Sequence, residues 1–227
     1  MPEQIPLFQP SHEVNFDGYW PGNNAEVIAQ IKAQVLTPDQ PCLYLWGKAG
    51  VGKSHLLQAA CSFAHQHRKT SVYVPLADHE HIQPDILLGL ESYGVICVDD
   101  VDVIVGENSW EQALFHLFNR ASERGVLLLF GAAAKPADLD IELQDFLSRL
   151  AWGTVWHVEE LLDRDKLAAL QLRARQRGFT LTDEVGTYLM QRSPRDMHSL
   201  FTLLDKLDHA SLSEHRKLTI PFVRHFL

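Results

Sequence analysis

Apolar and polar positions follow two rhythms along this chain, and the change of rhythm divides it. Between residues 25 and 158, short apolar runs alternate with longer stretches of helical spacing. The runs are Cys42-Leu43-Tyr44-Leu45-Trp46, Ser71-Val72-Tyr73-Val74-Pro75-Leu76, Val95-Ile96-Cys97-Val98, residues 126–130 and residues 154–158. Their length and continuous apolar character fit strands buried on both faces. Helices are expected over 25–36, from the low fifties to about residue 67, over 108–123 and over 138–150, with a short helix inside 79–90. Asn108 reads as an N-cap with Glu111 three residues on, the spacing of a capping box, and Gly125 stops that helix. Strand and helix in alternation predict a parallel sheet covered on both faces.

After residue 159 the strands cease. A helix is expected over 163–176, stopped at Gly178, and Thr182 caps another that runs to residue 190. Ser193-Pro194 reads as the cap-then-proline opening of a third helix, with Arg195 in its first turn. Leu200, Leu203, Leu204 and Leu207 form its apolar stripe, a core face. Residues 220–227 close the chain. The predicted fold class is α/β, a phosphate-loop NTPase core with a small C-terminal helical lid. Residues 1–14 are polar and carry Pro2, Pro6 and Pro10, so they read as a tail; 15–158 form the nucleotide domain and 159–227 the lid.

The full length of 227 residues suits this division. The chain is acidic, with 20 Lys+Arg against 29 Asp+Glu, and has no basic block, which argues against a dedicated DNA-binding module. Cys42, Cys61 and Cys97 are scattered and read as buried, reduced thiols. The N-terminus has neither a basic nor an apolar leader pattern, and the longest apolar stretch, 126–134, is too short to span a bilayer. A soluble, cytoplasmic protein with no membrane partner is expected.

The chemistry centres on Gly47-Lys48-Ala49-Gly50-Val51-Gly52-Lys53-Ser54, a complete G-x-x-x-x-G-K-[ST] phosphate loop between a strand and a helix. Its glycines allow a tight turn with backbone N–H groups aimed at a phosphate. Lys53 supplies charge to the terminal phosphates, Ser54 offers a hydroxyl to Mg²⁺, and the helix adds the positive end of its dipole. The expected ligand is ADP or ATP, or another nucleoside diphosphate, with Mg²⁺. A second motif agrees. The run 95–98 ends in Asp99-Asp100, which a parallel strand would deliver to the same sheet edge. Asp99 is then a Mg²⁺ ligand beside Ser54, and Asp100 the group that polarises an attacking water.

A phosphate-loop domain followed by a helical lid resembles the AAA+ ATPases. The Asp-Asp ending of the second motif resembles the bacterial initiator DnaA and its relatives. Ser148-Arg149-Leu150 with Trp152-Gly153 looks like the initiator's box VII. Phe16-Asp17-Gly18-Tyr19-Trp20-Pro21-Gly22 and Asn24 are similar to its base-contacting loop, and Pro194-Arg195-Asp196 falls where the family keeps its sensor II arginine. The resemblance covers about residues 15–227. It implies a nucleotide-binding set of Tyr19, Trp20, Pro21, Asn24, Gly47, Ala49, Gly50, Val51, Gly52, Lys53, Ser54, His55 and Arg195, and an Arg149 that acts in trans on a neighbour's ATP. Neither the initiator's helix-turn-helix domain nor its N-terminal interaction domain is expected within this chain. A DnaA-like core of that extent is similar to the Hda family, regulators of initiation. Gln4-Ile5-Pro6-Leu7-Phe8 looks like a peptide that docks on the β sliding clamp, with Leu7 and Phe8 in an apolar pocket and Gln4 hydrogen-bonded. The partners implied are a DnaA-type initiator and the clamp, with DNA contacted indirectly and room for a homo-oligomer.

One departure bears on activity. Phe130-Gly131-Ala132-Ala133-Ala134-Lys135 offers no polar sensor I side chain, so weak or no intrinsic ATPase is expected. The competing readings are an autonomous AAA+ ATPase resembling a helicase loader or clamp loader, and a small-molecule kinase that shares the phosphate loop.

Overall fold

The structure, a computed structural model, describes residues 14–214 and 216–226. Five strands form one parallel sheet: β1 (Cys42–Trp46), β2 (Ser71–Pro75), β3 (Val95–Asp99), β4 (Leu127–Ala132) and β5 (Thr154–His157), in the order β2-β3-β4-β1-β5. Cys42 stands opposite Leu128, Val95 opposite Leu127, and Ser71 opposite Val95. Because all strands run the same way, the loop after β1 and Asp99 at the end of β3 emerge on one edge.

The side-chain period of two sorts the sheet into faces. Cys42, Tyr44, Val72, Val74, Ile96, Val98, Leu128 and Phe130 join one core with α3 (Asn108–Glu123) and α4 (Gln144–Leu150). From α3 this core takes Trp110, Leu114, Leu117, Phe118 and Ala121, a stripe at helical spacing. Each large side chain so buried contributes about 1.5–3 kcal/mol. The opposite face packs against α2 (Lys53–Gln66), which in turn touches α1 (Ala25–Leu36). There Cys61 of α2 and Cys97 of β3 lie with sulfurs 3.4 Å apart, both buried and free, as is Cys42.

Two helix assignments made from the sequence are corrected here. The expected 138–150 helix reduces to a 3₁₀ turn at Pro136–Asp138 and α4 from Gln144. The cause is Glu111, which is no capping-box partner. Its carboxylate is buried and accepts the backbone N–H groups of Gly106 (2.9 Å), Glu142 (3.2 Å) and Leu143 (2.8 Å), so the segment before α4 is tied to α3. Glu107, not Asn108, stands at the N-cap of α3, and Asn108 instead accepts from Gln112.

The second unit comprises Asp17–Asn23 and the chain from Glu160 onward. Its helices are α5 (Asp163–Gln176), α6 (Asp183–Arg192), α7 (Met197–Glu214) and α8 (Ile220–Val223). Leu170, Leu189, Leu200, Leu204, Leu207 and Phe222 form its core, with Trp20 packed against it. Thr182 caps α6 as expected, accepting from Val185 N–H. The third lid helix starts later than expected. Ser193 turns back to the Leu189 carbonyl and closes α6, while Asp196 accepts Ser199 N–H at 2.8 Å, so α7 begins at Met197. Hydrogen bonding from Ser199 holds the Asp196 carboxyl below its ordinary pKa. Arg195 therefore precedes the helix and is not in its first turn.

Candidate functional site

The loop after β1 has the strand–turn–helix setting its motif requires. Gly50 (φ +79°) and Gly52 (φ +101°) adopt left-handed backbone that other residues rarely tolerate. Lys53 opens α2, is buried, and its ammonium donates to the carbonyls of Gly47 (2.7 Å) and Lys48 (3.0 Å). Ala49, Gly50 and Ser54 are exposed, while Val51 is buried beneath the loop.

Asp99 ends β3 fully buried. One carboxylate oxygen accepts the Asp100 N–H at 3.0 Å, and the other accepts the Tyr73 hydroxyl at 2.8 Å. Burial and the Asp99 charge push the Tyr73 pKa upward, so the phenol stays protonated and donates. Gly131 of β4 lies under Asp99, where a Cβ would collide with the carboxylate. The hard oxygens of Ser54, in the first turn of α2 after β1, and Asp99, at the end of β3, lie at one edge of the parallel sheet and fit Mg²⁺, which commonly takes one or two carboxylates and completes its shell with phosphate and water. No group of three or more His, Cys, Asp or Glu able to hold a metal occurs among the described residues.

Asp100 follows in left-handed backbone (φ +58°), half-buried. Burial, then Asp99, then Asp102 push its pKa up to about 6, with Lys53 pulling the other way. A carboxylate with that affinity can exchange a proton near neutral pH. Beyond β4 the main chain is engaged by side chains: Asp102 accepts Ala133 N–H at 2.8 Å, and Tyr44 donates to the Ala134 carbonyl at 2.9 Å.

Arg149 sits in the last turn of α4, half-buried. Its guanidinium stacks 4.7 Å from the centre of the Trp152 ring and 6.0 Å from that of Phe118. Among the described residues it has no ion-pair partner. Trp152 is 59% exposed. Gly153 cannot carry a side chain, because a Cβ would run into the Cys42 carbonyl and sulfur.

The profile of the bacterial DnaA ATPase domain matches residues 11–157, and that of the Hda lid domain matches residues 163–227. The chain belongs to the bacterial DnaA ATPase domain family. Its fold is that of domain III of the Thermotoga maritima replication initiation protein DnaA, with a TM-score of 0.82 at 17% identity over 98% of both chains. DnaA of Aquifex aeolicus bound to AMPPCP gives 0.73 at 17% identity over 90% of this chain and 68% of that one. A DnaA bound to AMPPCP and single-stranded DNA gives 0.71 at 17% identity over 91% and 69%.

Asn24 is buried, and its amide both donates to the Glu159 carbonyl (2.9 Å) and accepts Glu159 N–H (2.8 Å), which fixes the residue beyond β5. His55 contacts the Asn15 carbonyl at 2.9 Å. Tyr19, Trp20 and Pro21 belong to the lid unit, where the Trp20 indole donates to Asp165 at 3.2 Å. Arg195 pairs with Asp163 at 3.2 Å, both well exposed. Gln4, Leu7 and Phe8 lie outside the described residues. The structure adds Tyr73 and Asp102, neither of them singled out in the sequence, and gives Glu111 a role other than the capping box expected of it. A tyrosine inside a buried strand needs a hydroxyl partner, and that was the available signal for Tyr73. No helix among the described residues is long and apolar enough to cross a membrane.

Proposed function

We propose that this chain is a nucleotide-binding regulator of replication initiation that promotes hydrolysis of ATP held by a DnaA-type initiator. The observation that carries the reading is Arg149, a permanently charged fork held on an exposed tryptophan with no carboxylate paired to it among the described residues. An ordinary surface arginine pairs with a nearby acid and contributes about 0–1 kcal/mol. An arginine kept unpaired beside an exposed aromatic is suited to phosphate oxygens of another molecule. Supplied in trans, such a group accelerates phosphoryl transfer by about 10³–10⁵ in other phosphate-loop systems.

The chain's own ADP or ATP binds with its phosphates on the N–H groups of residues 50–54 and on Lys53. Ser54 and Asp99 hold Mg²⁺, which when bound neutralises phosphate charge. Tyr19, Trp20, Pro21, Asn24 and His55 are assigned to the nucleotide by the family resemblance, as is Arg195 from the lid. Asp100 is the group that would accept a proton from water. With no polar sensor side chain between Gly131 and Ala134, turnover by this chain alone is weak. Gln4, Leu7 and Phe8 tether it to the sliding clamp on DNA, which raises the local concentration of the regulator at the initiator. Hydrolysis of initiator-bound ATP, measured with clamp-loaded DNA and either this chain or its Arg149→Ala form, tests the reading: equal stimulation by the two forms overturns it.

A further inference from the structure

Tyr73 occupies the middle of β2 on the α2 face of the sheet. The register sets Tyr73 opposite Cys97 and Pro75 opposite Asp99. Tyr73 and Asp99 are thus two positions apart across neighbouring strands and share a face, the diagonal spacing a long side chain can bridge. Its hydroxyl donates to Asp99 Oδ2 at 2.8 Å. Tyr73 is 7% exposed and Asp99 is fully buried. One buried hydroxyl therefore adjoins the carboxylate assigned to Mg²⁺.

The Asp99 carboxylate is held from three sides. Oδ1 accepts the Asp100 N–H, the Gly131 backbone leaves room for the carboxylate and no more, and the phenol fixes Oδ2. Two of these constraints are backbone. The phenol is the one that a side-chain change removes without altering the fold. The positions of β3 that share this face, Val95 and Cys97, are buried and demand no polar partner from β2, so phenylalanine would fill the same volume. The oxygen is accounted for by Asp99.

We propose that Tyr73 is a metal-positioning residue. Its O–H orients the Asp99 carboxylate, and so sets how tightly the nucleotide complex holds Mg²⁺. The inference rests on the assignment of Ser54 and Asp99 to the metal made above. Outer-shell partners of metal ligands typically contribute about 10–100-fold in metal affinity.

The test uses the full chain and a fluorescent ADP analogue, with affinity measured in EDTA and across a Mg²⁺ titration. Tyr73→Phe keeps the ring and removes the donor. It should leave affinity in EDTA unchanged and raise the Mg²⁺ concentration at half-effect by about tenfold or more. A parallel loss in EDTA and in Mg²⁺, accompanied by a lower Tm, would mean a packing role only and would overturn the proposal. An unchanged Mg²⁺ half-point would do the same. In an Asp99→Asn background the Tyr73→Phe change should add nothing, because the two act by one route; an independent second loss contradicts it. If the unaltered chain shows no difference between Mg²⁺ and EDTA, the metal assignment itself falls, and the proposal with it.

Discussion

Glu111 Oε2 accepts the backbone N–H of Leu143 at 2.8 Å, and through that bond α3 sets where α4 begins. The same buried carboxylate takes the N–H groups of Gly106 and Glu142. Glu111→Ala would leave three backbone donors without this acceptor, each costing about 1–3 kcal/mol where water cannot reach. A Tm lowered by several degrees is expected, together with loss of any Arg149-dependent effect on a partner, since α4 carries that arginine. Nucleotide affinity should change little, because the phosphate loop is built on β1 and α2. An unaltered melting curve would remove Glu111 from this role.

How much could be seen beforehand follows from the range of the interactions. The strands and the phosphate loop were legible because local rules carry them: continuous apolar runs, and glycines where the backbone must turn left-handed. Asp99 was legible as a strand-end carboxylate. Its surroundings were not. Tyr73 and Gly131 meet Asp99 through strand pairing with β2 and packing from β4, and neither is near it in sequence. The start of α4 was missed for the same reason, since the amides that helical spacing would place inside the helix are taken by a glutamate about thirty residues earlier. Arg195 was assigned to a helix by its neighbouring proline, whereas the competing Asp196 cap moved the start to Met197.

Removing the loop's ammonium tests the nucleotide site directly. Lys53→Ala deletes a charge-assisted contact of about 1.5–3 kcal/mol, which is about one to two orders of magnitude in affinity. Calorimetry with ADP and Mg²⁺ is the measurement. Affinity equal to that of the unaltered chain would be incompatible with phosphate seated on Gly50 to Ser54.

Asp100 gives a pH signature whose sign can be worked out. Its folded pKa is pushed from 3.8 to about 6, so between those values the folded chain binds a proton that the unfolded chain has released. Stability therefore falls as pH rises through about 6 and is regained below it. Asp100→Asn removes the titration. The difference in Tm between the unaltered chain and Asp100→Asn should shift toward the unaltered chain as pH drops from 7 to 4.5. A difference that stays flat over that range would contradict the raised pKa.

Arg195 and Asp163 form an exposed pair that costs little to open. If Arg195 serves the nucleotide phosphates, Arg195→Ala should weaken ATP binding more than ADP binding, since the extra phosphate carries the extra charge. Equal affinities for both nucleotides before and after the change would leave only the surface ion pair.

The clamp tether rests on Gln4, Leu7 and Phe8. Changing all three to alanine removes two apolar anchors and one amide, the few contacts from which a short peptide draws most of its affinity. Clamp pull-down should be abolished while ADP binding is retained, because none of the three residues is among those assigned to the nucleotide. Clamp capture at unaltered level by the triple variant would end the tether reading.

Arg149 and Trp152 carry the sharpest expectation. The indole supports the guanidinium at 4.7 Å without neutralising it, so it can orient the fork and leave the charge available. Arg149→Ala should keep Tm, nucleotide affinity and clamp binding, yet lose stimulation of initiator ATP hydrolysis on clamp-loaded DNA. Arg149→Lys should rescue poorly, because an ammonium cannot reproduce two parallel N–H···O bonds to phosphate oxygens. Trp152→Ala should cost less than Arg149→Ala, since it releases the fork from a contact of about 0.5–1 kcal/mol at an exposed site and does not remove the charge. Trp152→Phe should recover most of the difference. A lysine variant as active as the arginine would show that charge alone suffices, and the forked in-trans contact would have to be given up.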